Sequence, residues 1–390
     1  MEHNRVVELG SLIKPAKTIR CGDDYYPVLS MTMHDGLVFQ EEKFKKEVAS
    51  KNKADYKVVF KNQLVVGFPI DEGVLATQRI VDAGIVSPAY GIWDVDQSKI
   101  HPEFLEWALR SARALDYYRA KLRGSTARRR SLPTETFLKF TLPLPSISEQ
   151  MHILDIIHKL QVMLRSRQQQ LAKLDELVKA RFIEMFGDPV SNQKEWKLVP
   201  LGKRCKIITG NTPSRAELEN YGEFIEWIKS DNINTPFMFI TKAQECLSKT
   251  GFEKCRFVEA GSLLMTCIAG SINCIGNVAV TDRRVAFNQQ INAIVPEKDK
   301  VVYLYWLMML SKPVINRTIN MALKGILSKR QLAEMEFPFP PLDLQEKFEG
   351  LVEKVNKSRR FIQKSLEQME ILKKALMQKY FGYIDRENYI

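Results

Sequence analysis

Histidine and cysteine are scarce in this chain, and neither is arranged as a set of metal ligands. There are five His and six Cys among 390 residues, and no two cysteines form a Cys-x-x-Cys pair. Because structural zinc sites need Cys or His in pairs at short spacings, we expect no metal site here. The cysteines are Cys21, Cys205, Cys246, Cys255, Cys267 and Cys274. With no disulfide framework evident, a reduced cytoplasmic setting is the default prediction.

Long apolar segments are lacking as well. The longest apolar run, 301–310, is much shorter than the roughly 20 residues that a membrane-spanning helix needs. Residues Met1 to Arg5 lead into no apolar stretch, so no secretory signal is predicted. Both absences favour a cytoplasmic protein with no membrane partner.

Sequence signatures of catalysis are also missing. The chain contains no Gly-x-x-x-x-Gly-Lys-Ser/Thr loop for ATP, no Gly-x-Gly-x-x-Gly and no His-Glu-x-x-His. It lacks the Asn-Pro-Pro-aromatic or Asp-Pro-Pro-aromatic run with which amino-methyltransferases hold a flipped base. A nuclease centre built from scattered acidic residues and Lys stays open as a weaker alternative. We therefore predict a non-catalytic protein.

Charge of one sign is in excess. The 58 Lys and Arg outnumber the 46 Asp and Glu, which gives a formal net charge of +12 at pH 7. Such an excess favours a polyanionic partner such as nucleic acid, although ribosomal and membrane-surface proteins share it.

A long uninterrupted helix is the clearest feature that is present. It is predicted over 146–187, because Pro143 and Pro145 come just before it and no Gly or Pro interrupts it until Gly187. Its apolar residues recur in a seven-residue frame, which is typical of a coiled coil. The members of this seam are Ile153, Ile157, Leu160, Leu164, Leu171, Leu174, Val178 and Met185. At 1.5 Å per residue, about 40 residues make a rod of ~60 Å.

The same pattern returns 195 residues later in the chain. Gln150 corresponds to Gln345, the exit Phe186-Gly187 corresponds to Phe381-Gly382, and a Pro-x-Pro precedes each helix. The apolar stripe of the second helix is Phe348, Val352, Val355, Ile362, Leu366, Met369, Leu376 and Tyr380. The constant offset predicts a two-fold internal repeat whose two helices pack together. Two unrelated amphipathic helices that share a common pattern are the alternative.

Two globular blocks flank the helices and are predicted as mixed α/β, or α+β, domains. We call residues 1–142 the first domain and 189–337 the second domain, with helical segments at 143–188 and 338–390. In the first domain, helices are predicted at 39–50 and 102–122 from their amphipathic patterns. In the second, strands are predicted at 262–266, 277–280 and 286–294, and a buried helix at 301–310.

This layout resembles the specificity subunit of type I restriction–modification enzymes over essentially the whole chain. The resemblance is carried by the Pro-x-Pro-x-x-x-x-Gln helix starts (Pro143, Pro145 and Gln150; Pro338, Pro340 and Gln345) and by the Phe-Gly exits. Within the domains it is carried by Gly84-x-Val86-Ser87-Pro88-x-Tyr90, by Gly210-x-Thr212-Pro213-Ser214 and by Trp227-Ile228-x-Ser230-x-Asn232-Ile233.

The resemblance implies two target-recognition domains held apart by a long antiparallel two-helix coiled coil, as a pseudo-two-fold repeat. It implies a subunit that reads a bipartite, asymmetric site in double-stranded DNA and docks two modification subunits and the restriction subunits. S-adenosylmethionine, ATP and Mg would then belong to those partners, with no cofactor in this chain. The alternatives are a specificity subunit of a related type II system and a scaffold that does not bind DNA.

Candidate DNA-binding residues are cations for phosphates, and amide or hydroxyl side chains for base edges. In the first domain they lie in a loop after the second predicted helix: Lys121, Arg123, Gly124, Ser125, Arg128, Arg129 and Arg130. In the second domain they are Lys229, Ser230, Asn232, Arg283, Arg284, Asn288, Gln290, Lys324, Lys329 and Arg330, with Gln289 beside them. The competing interpretation is that these side chains have no role in DNA binding. They would then lie in an ordinary solvated loop, or form hydrogen bonds within the protein at the edge of a strand.

Five further residues of the helices are singled out. Gln150 and Gln345 are predicted to be structural, at the joint between helix and domain. Arg167, Arg181 and Arg359 interrupt the apolar seam, and they either set the register of the two helices or pair with partner subunits.

Overall fold

The computed structural model describes residues 5–33, 35–43, 53–122, 132–319 and 325–382. The chain divides into two compact units. The first unit consists of Met1–Gln168 and Lys364–Ile390, and the second of Gln169–Gln363. Each unit therefore takes one globular domain and one half of each long helix. Among the described residues, no helix is both long and apolar enough to cross a membrane.

The helices differ greatly in length, from one turn to 40 residues. They are α1 (Gln40–Lys43), α2 (Pro102–Leu109), α3 (Ala112–Lys121), α4 (Thr134–Leu138), α5 (Ile147–Phe186), α6 (Lys249–Glu253), α7 (Val301–Arg317), α8 (Lys329–Glu334) and α9 (Leu342–Phe381). The two long helices, α5 and α9, therefore begin and end within a residue or two of the predicted positions.

The first unit is built on short antiparallel strands. They are β1 (Arg5–Glu8), β2 (Ile13–Pro15), β3 (Leu29–Thr32), β4 (Gly36–Phe39), β5 (Lys57–Phe60), β6 (Leu64–Val66), β7 (Leu75–Thr77), β8 (Ala83–Val86), β9 (Gly91–Val95) and β10 (Thr141–Leu144). The largest sheet has the order β2-β9-β6-β7. Its apolar face joins α2, α3 and the start of α5 in one core that contains Leu64, Phe104 and Ile153.

The second unit contains two four-stranded sheets. Its strands are β11 (Leu198–Pro200), β12 (Cys205–Thr209), β13 (Tyr221–Ile228), β14 (Cys246–Leu247), β15 (Phe257–Val258), β16 (Leu263–Thr266), β17 (Ile268–Ala269), β18 (Val278–Val280), β19 (Val285–Phe287), β20 (Ile291–Pro296), β21 (Gly325–Ile326) and β22 (Glu336–Pro338). The sheets have the orders β12-β20-β16-β18 and β14-β13-β19-β15.

Alternation along the strands explains how the layers of the second unit stack. Side chains of successive strand residues point to opposite faces of a sheet. In β16, Leu263 and Met265 join the core beneath α7 and the long helices, whereas Leu264 joins a separate core with Ile228 and Phe287 of the other sheet. The order of layers is therefore helices, first sheet, second sheet, with the outer face of the second sheet turned away from the helices.

In each unit, the first strand of the domain pairs with its last strand. In the first, β1 pairs antiparallel with β10, and Leu9 N–H donates to Phe140 O (2.8 Å). In the second, β11 pairs antiparallel with β22, and Leu201 N–H donates to Met335 O (2.9 Å). Both leucines are fully buried. The two domains share this frame although their sequences differ.

Within each unit the halves of α5 and α9 pack against each other. In the first unit, the end of α9 reaches the first domain through Phe381, whose ring lies 5.1 Å from that of Phe104. In the second unit, Phe348 of α9 lies 5.4 Å from Phe182 and 5.4 Å from Phe186 of α5. Phe182 is fully buried, and it was not among the predicted seam residues.

Two predicted elements of the domains are wrong in their extent. The helix predicted at 102–122 is split into α2 and α3, because Ser111 caps a new helix by accepting from Ala114 N–H (3.3 Å). The strand predicted at 286–294 is split into β19 and β20, which belong to different sheets. Of the helix predicted at 39–50, 40–43 is helical and 44–50 lies outside the described residues.

Candidate nucleic-acid interface

Gln150 joins α5 to the first domain. Its side chain is fully buried. Its Oε1 accepts from His101 N–H (2.7 Å), and its Nε2 donates to Lys99 O (3.1 Å) and Pro145 O (2.9 Å). His101 is the N-cap residue of α2, so the glutamine ties the start of α2 to the start of α5.

Gln345 makes the equivalent joint in the second unit. It too is fully buried, and its Oε1 accepts from N–H of Lys300, the N-cap residue of α7 (2.9 Å). Its Nε2 donates to Pro340 O (3.0 Å) and to Oδ1 of the buried Asp299 (2.8 Å). Asp299 in turn accepts two hydrogen bonds from Arg204, at 2.6 and 2.8 Å. Both glutamines therefore have the kind of contacts expected of structural residues.

Most of the predicted loop of the first domain falls outside the described residues. These are Arg123, Gly124, Ser125, Arg128, Arg129 and Arg130, and in the second domain Lys324. Lys121 is the last residue of α3 and is exposed. Contact of this loop with DNA stays a prediction.

Two predicted amide residues of the second domain are used inside the protein. Asn232 is 5% exposed; its Oδ1 accepts from Lys229 N–H, and its Nδ2 donates to Thr241 and Lys242. Asn288 is 6% exposed and bonds with both the backbone N–H and the side chain of Gln290. These contacts shape the loops in which the residues lie, and they disfavour a direct role for either amide in reading bases.

Arg283 and Arg284 lie between β18 and β19, and both hold carboxylates. Arg283 binds Glu226 through two hydrogen bonds, at 2.6 and 2.8 Å. This arginine lowers the pKa of Glu226, chiefly through these bonds. Arg284 pairs with Glu259 (2.7 Å), and its guanidinium lies 5.5 Å from the centre of the Phe257 ring. Arg284 is the more exposed of the two, which makes it the better placed for contact with a ligand.

The remaining predicted cations lie on the surface. Lys329 and Arg330 open α8, whose N-cap Ser328 accepts from Gln331 N–H (3.2 Å). Arg330 pairs with Glu334 one turn along the helix (2.8 Å). Ser230 lies at the start of a short 3-10 helix and is half-buried.

The seam arginines differ in their roles. Arg359 of α9 donates to Asp175 of α5 inside the second unit, so it links the two helix halves there. Arg181 pairs with Glu184 of its own helix (2.5 Å). Arg167 also has an interaction within the described structure.

A cluster that the sequence did not predict surrounds Trp227 in the second domain. The guanidinium of Arg215 lies 5.1 Å from the ring centre of Tyr221 and 5.6 Å from that of Trp227. The ammonium of Lys229 lies 5.1 Å from the Trp227 ring. Glu245 bridges the two cations, with Arg215 at 3.0 Å and Lys229 at 2.9 Å. We call Arg215, Tyr221, Trp227, Lys229 and Glu245 the Trp227 cluster. Only Lys229 of this group was predicted.

The residues just before Arg215 in the chain are held in place by close packing and by hydrogen bonds. Gly210 leaves no room for a side chain, because a Cβ there would collide with the carbonyl oxygens of Phe287 and Asn288. Asn211 Oδ1 accepts from Arg256 N–H (2.8 Å), and the Thr212 hydroxyl donates to the side chain of Gln289. The Gly210-x-Thr212-Pro213-Ser214 motif therefore fixes the chain directly before Arg215.

Comparisons with known proteins show similarity to the specificity subunits of type I restriction enzymes. Residues 193–370 match the family model of the type I restriction modification DNA specificity domain. The specificity subunit of the type I restriction enzyme HindI from Haemophilus influenzae is 32% identical over 107 residues, 27% of this chain and 22% of that protein. The putative type I restriction enzyme MjaX specificity subunit from Methanocaldococcus jannaschii is 22% identical over 304 residues, 72% of this chain and 68% of that protein.

Solved structures support the same fold. A chain from a structure of type I R-M complex assembly and conformational transition matches with a TM-score of 0.59 at 17% identity, over 97% of each chain. The S subunit of a type I restriction–modification system from M. genitalium matches with a TM-score of 0.57 at 14% identity, over 99% of this chain and 98% of that one.

Residues 193–370, which match the DNA specificity domain model, take in the mixed α/β domain of the second unit and the first part of α9. This chain is similar to specificity subunits of type I restriction–modification enzymes, through the family model at residues 193–370 and through relatives that align over 27% and 72% of its length. These similarities confirm the resemblance predicted from the sequence. The alignment with the HindI subunit spans about a fifth of that protein's length.

Proposed function

We propose that this chain is the sequence-specific DNA-binding subunit of a type I restriction–modification complex. Each domain would read one half of a bipartite, asymmetric site in double-stranded DNA. The observation that carries the proposal is the match of residues 193–370 to a DNA specificity domain. The net charge of +12 supports it, because cations neutralise DNA phosphates.

The two long helices would act as a spacer between the domains. In this proposal α5 and α9 run antiparallel as a coiled coil along their whole length. Two observations support it: each helix is 40 residues long, and within each unit the start of one helix lies with the end of the other, as Phe348 does with Phe182.

Catalysis would be supplied by partners. Two modification subunits would bring S-adenosylmethionine, and restriction subunits would bring ATP and Mg. The chain itself would position them on the DNA. The absence of catalytic signatures from the sequence is the support for this division of labour.

A salt titration tests DNA binding. The full chain, co-expressed with candidate modification subunits from its own host, is titrated with labelled duplex between about 50 and 200 mM salt. We expect the logarithm of the binding constant to fall linearly with the logarithm of salt, because bound phosphates release counterions. Duplexes with and without the site give the specific component. A pure scaffold would bind neither duplex at the lowest salt, and that result would overturn the proposal.

Lengthening the helices tests the spacer. Four residues inserted in both helices, after Gln168 in α5 and after Gln363 in α9, add about one turn and separate the domains by ~6 Å. At about 3.4 Å per base pair, the gap between half-sites should grow by ~2 base pairs. Methylated positions mapped across a genome give the spacing. Replacing four residues at the same places without changing the length is the matched control. An unchanged gap in the lengthened protein would rule out a helical spacer.

A further inference from the structure

The outer face of the second sheet in the second unit carries the Trp227 cluster. Trp227 of β13 lies opposite Ala286 of β19, and Ala286 lies opposite Phe257 of β15. Residues opposite each other in a sheet project from the same face. Their neighbours Ile228, Phe287 and Val258 point the other way, into the core between the sheets. The face that bears the cluster is therefore the face that points away from the core.

Arg215 is held in a fixed orientation on this face. Two aromatic rings and one carboxylate contact its guanidinium, and the loop before it is anchored as described above. Its side chain nevertheless remains 59% exposed. A guanidinium carries five N–H donors, more than the contact with Glu245 uses. An exposed planar donor group whose position is already fixed loses little entropy when it binds a planar acceptor.

Glu245 places an acceptor beside the donors of this arginine. The Lys229 ammonium, and the Arg215 guanidinium after it, lower the pKa of the Glu245 carboxyl. The carboxylate is therefore ionised at neutral pH and offers an acceptor beside Arg215, which a phosphate, itself only an acceptor, would leave unused. An ionised carboxylate is only an acceptor, so the cluster presents donors and an acceptor side by side.

This pairing of donors with an acceptor matches one base pair. In the major groove, guanine shows two acceptors, O6 and N7, and its cytosine shows the N4 amine as a donor. The forked guanidinium of an arginine can donate to both guanine acceptors, and a carboxylate can accept from the cytosine amine. An A·T pair would instead place the adenine amine, a donor, against the fork. Other base pairs therefore fit these two side chains less well.

We propose that Arg215 and Glu245 are specificity-determining residues that read one G·C base pair of the half-site bound by the second domain. This assignment rests on the proposed function and adds to it the identity of one base pair and the residues that select it. Trp227 and Tyr221 serve as positioning residues, because they hold the guanidinium and do not themselves reach the base edge.

Methylation mapping with variants tests the assignment. The full chain is expressed with its modification subunits, and the methylated motif is compared for the wild type and for R215K, R215A and E245Q. We expect a G·C pair at one position of one half-site in the wild-type motif. R215K keeps the charge but loses the fork, so preference for guanine at that position should fall about tenfold or more. R215A and E245Q should relax the same position and leave the others intact.

Controls separate this outcome from the alternatives. R165K, at an exposed position of α5, changes an arginine in the same way and should leave the motif unchanged. The thermal unfolding midpoints of the variants should match the wild type, because exposed ion pairs contribute little stability. Equal weakening on all sequences, with a salt slope reduced by about one, would assign Arg215 to a phosphate and overturn the inference. An unaltered motif would overturn it too. A wild-type complex with no motif at all would instead overturn the proposed function.

Discussion

Phe348→Ala is expected to destabilise the second unit by about 3–5 kcal/mol, the range for removing a large buried aromatic side chain. Phe348 is fully buried, and its ring meets those of Phe182 and Phe186 edge-on. The neighbouring Tyr303 is stacked on Phe182 (5.5 Å), so the packing around the vacated space is rigid. Urea unfolding followed by fluorescence and circular dichroism measures the loss.

The same helix provides a matched control for that substitution. Phe361 also lies on α9 in the second unit, but it is 76% exposed. Phe361→Ala should change the free energy of unfolding by no more than about 0.5 kcal/mol. Equal effects of the two substitutions would show that the aromatic cluster is not the core that joins helix and domain.

Gln345→Leu is expected to cost about 3 kcal/mol although it preserves the size of the side chain. The N–H of Lys300, the carbonyl of Pro340 and Oδ1 of the buried Asp299 would all lose this partner. Leaving a buried polar group unpaired costs about 1–3 kcal/mol. Hydrogen exchange of the Lys300 amide should rise in the variant, and this local readout distinguishes a broken joint from general loss of stability.

Two further glutamines test whether the effect is specific to the joint. Gln150→Leu should loosen the His101 amide in the first unit in the same way, because His101 N–H donates to Gln150. Gln368→Leu changes an exposed residue of α9 and should leave stability within about 0.5 kcal/mol of the wild type. If Gln345→Leu behaved like Gln368→Leu, the buried amide would not be a structural joint.

The long helices were predictable because their signals are local. Pro143 and Pro145 before α5, and Gly187 after it, bound the helix at the sequence level, and the observed ends are Ile147 and Phe186. The constant offset to α9 required only comparison of the chain with itself. Gln150 and Gln345 stood out as repeated polar residues beside apolar ones, and both prove to be buried.

Elements set by tertiary contacts were harder to predict. Residues 286–294 were predicted as one strand, yet Asn288 turns the chain between two sheets by bonding to Gln290. Phe182 is buried where the seven-residue frame placed Arg181. The end of α5 packs through Val178, Phe182 and Phe186, four residues apart, because there it contacts a domain as well as α9.

The residues of the candidate site were also hard to predict, because their surroundings depend on contacts between distant parts of the chain. Cations were chosen from the sequence by charge alone, but Arg283 is occupied by Glu226, 57 residues away in the chain. Arg215 was passed over because its importance depends on Tyr221, Trp227 and Glu245, which only the fold brings around it. The motif directly before Arg215 was visible in the sequence, but the packing of Arg215 against the buried Trp227 and against Tyr221 was not.

The joint at Gln150 has a consequence for how such proteins diversify. All three of its hydrogen-bonding partners, at Lys99, His101 and Pro145, are main-chain atoms. Because every residue has these main-chain atoms, the hydrogen bonds to Gln150 depend little on which side chains occupy positions 99, 101 and 145. α5 could therefore be joined to a domain of unrelated sequence, provided that the first residues of a helix in that domain lie where α2 begins. A domain exchanged at this point would need no redesign of the attachment.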